Sequence, residues 1–182
     1  MPHVTRFASA VRFVLTSAIA ICSIAVEAQA PARGSQGAAP TAMRATVQQL
    51  MRGILFPNSN VVFAAQGTDP ETIKKAADPS TSPNPLESTY GGWEAVANSG
   101  FVLTEVGRLL EVPRACSNGK AAPIQSATWK KGLAELRAAG LATVKAAEAK
   151  SQDGILDASD KITNACATCH DKYREKTPRC VE

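Results

Sequence analysis

The sequence that decides the fold is ILDASDKITNACATCHDKY, residues 155–173. Within it, a row of apolar and small side chains recurs at alternating spacings of four and three residues: Ile155, Ser159, Ile162, Cys166, Cys169 and Tyr173. Because an α-helix has about 3.6 residues per turn, this spacing puts the whole row on one face. We therefore predict a helix over about residues 153–174, whose buried face carries two cysteines near its C-terminal end.

The same stretch contains a C-x-x-C-H motif, Cys166-Ala167-Thr168-Cys169-His170. This motif is the signature of c-type haem attachment, in which two thiols add to the vinyl groups of a haem and the adjacent histidine coordinates the iron. The chain has two histidines, and His3 lies in the N-terminal segment described next, so His170 is the only imidazole of the remainder. A single histidine disfavours a zinc site, which typically takes four ligands in two spaced pairs.

Residues 1–30 have the pattern of a cleaved secretory signal peptide. Arg6 and Arg12 form a basic start, residues 13–26 are an uncharged apolar run, and Ala28-Gln29-Ala30 fits a signal-peptidase site. The alternative is a retained N-terminal anchor, although the run is short for a permanent span. We expect export to the periplasm with no membrane span after cleavage, a flexible leader over residues 31–40, and one domain over residues 41–182.

Composition argues against two classes of function. Lys and Arg total 20 against 16 Asp and Glu, a formal net charge of +4, and no block of basic residues occurs. A nucleic-acid partner is therefore not expected. The chain also lacks a Ser/His/Asp set, an acid/base pair or a phosphate-binding loop, so we do not expect an enzyme.

Three further amphipathic segments precede the motif. The first follows a possible cap at Thr41 and has an apolar stripe from Val47 to Leu55, and Pro57 should break or kink it. The second and third are predicted over about residues 92–112 and 127–150. Between the first and second, residues 67–92 read as a Pro-rich crossover with one or two helical turns over residues 71–77. The predicted inward side chains of the third segment are Trp129, Leu133, Leu136, Leu141 and Val144.

No strand pattern appears, and four amphipathic segments predict an all-α fold: an antiparallel four-helix bundle with covalently attached haem c. In such a bundle the start of the first helix meets the ends of the second and fourth. This places Met51 near His170, and it places Cys116 near Cys180. We therefore predict a Cys116–Cys180 disulfide, the alternative being free or intermolecular thiols.

The segment from Cys166 to Arg174 resembles the C-terminal helix of class II c-type cytochromes, the cytochrome c-prime family. In that family the motif lies near the C-terminus of a four-helix bundle and is followed by an aromatic and a basic residue, as in Tyr173-Arg174. The resemblance is specific over Cys166 to Arg174 and only architectural elsewhere. It implies one haem c per chain and, in some relatives, a homodimer.

The resemblance also suggests what faces the haem from the first helix. In the low-spin branch of the family that residue is a methionine, and Gln48-Gln49-Leu50-Met51-Arg52 is similar to the corresponding segment. Met51 is therefore the expected sixth iron ligand, with packing beside the porphyrin as the alternative. Met43 is the only other methionine after the first residue. Four basic residues are candidate partners for the haem propionates: Arg114, Lys120, Lys172 and Arg174.

Three functions follow from these patterns. The leading hypothesis is a periplasmic monohaem cytochrome c that carries electrons between redox partner proteins, with the iron held by His170 and Met51. The alternative within the same fold is a gas-binding protein, with an open distal site for nitric oxide or carbon monoxide. The third is a haem-free exported helical protein, in which Cys166 and Cys169 form a redox dithiol.

Overall fold

The structure, a computed structural model, describes residues 44–174. It is all-helical over this range, and its one β-type pairing is an isolated bridge between Ala115 and Ala121. An N-terminal helix consists of three consecutive segments: α1 (Val47–Leu50), a π-helical turn (Met51–Leu55) and α2 (Phe56–Gly67). Three longer helices follow: α3 (Trp93–Glu111), α4 (Ala127–Glu148) and α5 (Gln152–Tyr173). The predicted all-α class is confirmed.

The helices pack in a closed ring, with α3 on α4, α4 on α5, and α2 on both α3 and α5. Helices α3 and α4 run antiparallel, because Gly100 lies beside Gly140 whereas the later Gly107 lies beside the earlier Leu133. A Cβ at Gly140 would come within 2.8 Å of the Gly100 carbonyl oxygen, so the two backbones approach closely there. The arrangement is compatible with the predicted helical bundle.

The predicted bounds of the three long helices agree with the structure to within two residues. Local signals explain this agreement. The Ser126 side chain accepts a hydrogen bond from the Trp129 N–H (3.2 Å), and the Ser151 side chain accepts one from the Gly154 N–H (3.0 Å). These N-caps satisfy donors that a helix start leaves unpaired, and Pro113 follows the end of α3.

One predicted core residue of α4 is wrong. Leu141 is 53 % exposed, whereas the other four predicted inward side chains are buried. The buried face of α4 runs instead through the small residues Ala139, Gly140 and Thr143. Where two helices come close, the buried face is lined by small residues. A prediction based on the spacing of large apolar residues therefore does not find that face.

At Pro57 the sequence predicts a break or a kink of the N-terminal helix, and the first of these is not observed. The helix does not break there, and the turn before the proline widens into the π-helical segment, in which the Phe56 N–H bonds to the Met51 carbonyl five residues back. A proline in an α-helix clashes with the carbonyl four residues earlier, and the wider turn is compatible with the ring. The Asn58 side chain donates to the Ile54 carbonyl (2.7 Å) beside this junction.

The start of this helix also differs from expectation. Thr46 caps it: its side chain accepts from the Gln49 N–H, and the Gln49 side chain accepts from the Thr46 N–H. The predicted cap Thr41 lies outside the described residues, as do the predicted signal peptide, the leader, Met43 and Cys180.

The crossover between α2 and α3 contains less helix than predicted. The turns expected over residues 71–77 reduce to one short 3₁₀ turn, Pro70–Thr72, capped by Asp69, and a second 3₁₀ turn covers Pro85–Glu87. The chain enters α3 through Gly92 at φ 62°, a left-handed conformation that favours glycine. Within residues 44–174, no helix is both long and apolar enough to cross a membrane.

Candidate cofactor site

A cavity of about 810 Å³ lies at one end of the helices, between the N-terminal helix, α4 and α5. Its lining includes five of the residues predicted from the sequence to hold a haem: Met51, Cys166, Cys169, His170 and Arg174. Apolar side chains supply much of the remaining wall, among them Val47, Leu55, Phe63, Leu110, Leu133 and Leu136. The cavity volume is within the range of about 300–1,000 Å³ that is typical of small-molecule and cofactor sites.

The two cysteines lie on the last turns of α5, one turn apart, and both are half-buried free thiols. Burial raises the pKa of Cys166, partly offset by the positive charge of Arg174. Burial is also the main cause that raises the pKa of Cys169 to about 11, with smaller contributions from Cys166 and from the carboxylate of Glu135. Both thiols are therefore protonated at neutral pH.

His170 follows Cys169 on the same helix and is half-buried at the cavity. Its Nδ1 lies 3.5 Å from the Arg174 guanidinium, one helical turn further on. Arg174 thus reaches both the cavity and the histidine ring.

On the N-terminal helix, Met51 is the first residue of the π-helical turn and is partly buried against the hydrophobic core. The π turn adds one residue to the helical register. Consequently Phe56 and Phe63 line the cavity beyond it, whereas Val62 is fully buried in the core.

The other three basic residues predicted as propionate partners do not line the cavity. Arg114 is used structurally, since its guanidinium donates to the carbonyl oxygens of Ala45 (2.9 Å) and Leu109. Lys120 is exposed, and Lys172 lies 5.5 Å from the ring centre of Tyr173. Nearness to the helix ends does not decide which side chains line the cavity, and contact of these three residues with a propionate stays a prediction from the sequence.

The end of the cavity near Tyr173 is tied together by hydrogen bonds. The Tyr173 hydroxyl bonds to the Ser126 hydroxyl, which also caps α4. The Tyr173 ring packs edge-on against the Trp129 ring, with 5.6 Å between the two ring centres. The Trp129 indole N–H donates to the Leu110 carbonyl (3.0 Å). The C-terminal turn of α5 is therefore fixed to the start of α4 and the end of α3.

Helix α4 also contacts the motif directly. The hydroxyl of Thr168 donates to a Glu135 carboxylate oxygen (2.6 Å), and Glu135 forms an ion pair with Lys131. Gly132 lies on the same turn, and a Cβ there would overlap the Cys169 Sγ.

Sequence reasoning missed Arg52 and Gly132, both of which line the cavity. Arg52 directly follows Met51, and no motif in the sequence marks it. Gly132 sits in a helix-forming segment without a turn signal. The only indication in the sequence is a glycine inside a predicted helix, where it costs about 1 kcal/mol relative to alanine.

No protein-family model, curated protein or solved structure matches this chain.

Proposed function

We propose that this protein is an exported electron carrier that holds one haem c in the cavity between the N-terminal helix, α4 and α5. One observation carries the proposal: residues far apart in the sequence, Met51 and the Cys166–His170 motif, line the same cavity. When bound, the haem would supply one-electron redox chemistry that the amino acids of the cavity lack.

The residues present fit such a group. Two free thiols and one imidazole from α5 line one wall, and a thioether from the N-terminal helix lines another. Much of the remaining lining is apolar, as a porphyrin face requires. Two guanidinium groups, from Arg52 and Arg174, lie on the lining as counterions for acidic ring substituents, and no Asp or Glu of residues 44–174 lines the cavity.

Each side chain would have a separate role. Cys166 and Cys169 would tether the ring to α5, His170 would bind iron from that side, and Met51 would bind it from the N-terminal helix. The apolar walls would exclude water and so lower the local dielectric, which is one of the factors that set a reduction potential. Two ligands from the protein would keep the coordination unchanged when the redox state changes.

The thiols themselves favour this function over a redox dithiol. Reactive cysteines of disulfide oxidoreductases have lowered pKa values, because the thiolate is the attacking species. Here the pKa of both thiols is raised. A half-buried, protonated pair of thiols suits a tether better than a nucleophile.

The decisive experiment is expression with a haem-attachment system, followed by absorption spectroscopy. The wild-type protein should show a Soret band that survives denaturation and acid extraction, because the haem is covalently bound. Absence of bound haem in the folded protein would overturn the proposal.

Variants of Met51 test the sixth ligand. Met51→Leu keeps most of the side-chain volume and removes the sulfur, whereas Met51→Ala removes both. If Met51 binds iron, both variants should change a six-coordinate spectrum to one with an open site. If Met51 only fills space, the Leu variant should keep the wild-type spectrum.

A second candidate function is gas binding. It is favoured by the apolar side chains of Leu55 and Phe63, which line the same wall as Met51 and cannot bind iron. A wild-type ferrous protein that takes up carbon monoxide rapidly and without displacing a ligand would support this function instead.

Export to the periplasm is part of the proposal, and it rests on the sequence of residues 1–30. A redox partner protein and a homodimer also remain predictions from sequence.

A further inference from the structure

One turn of α4, from Lys131 to Glu135, packs directly against the C-x-x-C-H motif of α5. Gly132 is buried, and the three atoms nearest to a Cβ placed on it all belong to side chains of Thr168 and Cys169. The first of these is the Cys169 Sγ, which such a Cβ would overlap, and the Thr168 methyl group would lie 3.6 Å away.

The other helical glycines differ from Gly132. At Gly100 and Gly140, a Cβ would approach the backbone of the facing helix, so these glycines permit two helices to come close. At Gly67 there is open space. Only at Gly132, among the described glycines, is the nearest atom a thiol sulfur. The absence of a side chain at residue 132 therefore gives room to the thiol.

The residue before Cys169 is also held on α4. The Thr168 hydroxyl donates to Glu135 (2.6 Å), and Lys131 pairs with the other oxygen of the same carboxylate. Thr168 thus has a bond across the helix interface in addition to its contact with the Asn164 carbonyl (3.2 Å) of its own helix. Together, Gly132 and Glu135 contact two consecutive residues of the motif.

We propose that this turn of α4 is a seat that orients the Cys169 thiol for the second thioether bond, with Gly132 and Glu135 as positioning residues. The inference rests on the proposed function. In that bond-forming step, the Cys169 S–H adds across a vinyl double bond. An S–C bond forms, the π bond is lost and the thiol hydrogen ends on the neighbouring carbon, so no oxidant or reductant is consumed.

The first test uses the full chain without haem, under anaerobic and non-reducing conditions. The variant is Gly132→Ala and the matched control is Gly67→Ala, a helical glycine with open space around it. Both are treated with an uncharged alkylating reagent, and the rates at Cys166 and Cys169 are compared by peptide mapping. The atom that must move is the end of a flexible side chain, so Gly132→Ala should fold, as circular dichroism would verify.

We expect Gly132→Ala to raise the ratio of Cys169 to Cys166 alkylation several-fold, because the displaced thiol leaves the α4–α5 interface. The control should not change this ratio. Thr168→Val, which keeps the side-chain shape and removes the hydroxyl, should shift the ratio in the same direction. Because Thr168→Val is an independent variant, the test stays valid even if Gly132→Ala does not fold. An unchanged alkylation ratio in every folded variant would overturn the proposal that this turn of α4 orients the Cys169 thiol.

The second test uses protein made with a haem-attachment system. Alkylation after denaturation should find Cys169 partly unattached in Gly132→Ala, while Cys166 stays attached and Gly67→Ala matches wild type. Complete attachment at both cysteines in Gly132→Ala would contradict the inference. Failure of the wild type to carry haem would instead refute the proposed function, and the haem-free thiol ratio would still decide whether the seat orients Cys169.

Discussion

At the scale of single residues, the motif is held by charge as well as by shape. The Lys131 ammonium group and the Thr168 hydroxyl lower the pKa of Glu135. A carboxyl whose pKa is lower in the folded than in the unfolded state stabilises the fold while it is ionised. That stabilisation is lost as the pH falls through the folded-state pKa. The contact between Thr168 and Glu135 should therefore depend on pH.

We predict that Thr168→Val lowers the free energy of unfolding of the haem-free protein by about 0.5–1 kcal/mol at neutral pH, since the bond is partly exposed. At a pH below the folded-state pKa of Glu135, the gap between variant and wild type should shrink, because the carboxyl is then protonated in both proteins. Urea unfolding at the two pH values measures the gap. A gap of equal size at both would show that the charge of Glu135 has no part in it.

At the scale of helices, the features that could be predicted from the sequence are those that local signals mark. Serine caps and Pro113 mark the ends of the long helices, and their bounds agree with the structure to within two residues. The π turn was not predictable in the same way, because the register of one turn depends on how Pro57 and the carbonyls before it are accommodated. The C-x-x-C-H motif, in contrast, lies within five consecutive residues and can be recognised from the sequence alone. Gly132 and Arg52 join the site only through packing between helices.

The junction after the π turn offers a test at this scale. Asn58→Ala should destabilise the haem-free protein by about 1 kcal/mol, because the Ile54 carbonyl loses the side-chain hydrogen bond at 2.7 Å. The matched control is Asn98→Ala, an exposed asparagine within α3 that gains the same helix propensity. Chemical denaturation of both variants measures the difference. Equal unfolding free energies would show that the Asn58 bond adds nothing to the junction.

At the scale of the whole molecule, the predicted Cys116–Cys180 disulfide would close the end that contains the cavity. Cys116 is buried at 3 % exposure and lines the cavity, and Cys166 and Cys169 are free, so neither is its partner. Cys180 lies outside the described residues, and the pairing remains a prediction. A bridge between these positions would enclose about 64 residues and stabilise the fold by about 4 kcal/mol in the chain-entropy model.

Two measurements check this bridge. Non-reducing peptide mapping should recover residues 116 and 180 in one cross-linked peptide. The Cys116→Ser and Cys180→Ser variants should lose similar amounts of stability, with no further loss in the double variant, because each removes the same bond. Recovery of both cysteines as alkylated thiols would disprove the pairing.

The two ends of the ring of helices are built differently. Far from the cavity, the Gln152 side chain at the start of α5 donates to the carbonyls of Ala65 and Gln66, close to the end of α2. Ile155 and Ile162 of α5 are fully buried, whereas Cys169 and His170, near its other end, are only half-buried.

Local opening in a protein starts where few buried contacts must be broken. Amide hydrogen exchange in the haem-free protein should therefore be slowest around Ile155 and faster towards His170, although both lie on one continuous helix. Filling the cavity should slow exchange mainly in the second half of α5 and in the turn around Met51. Between Cys166 and His170, α5 is thus less buried than around Ile155, although Tyr173 holds its last turn against the start of α4.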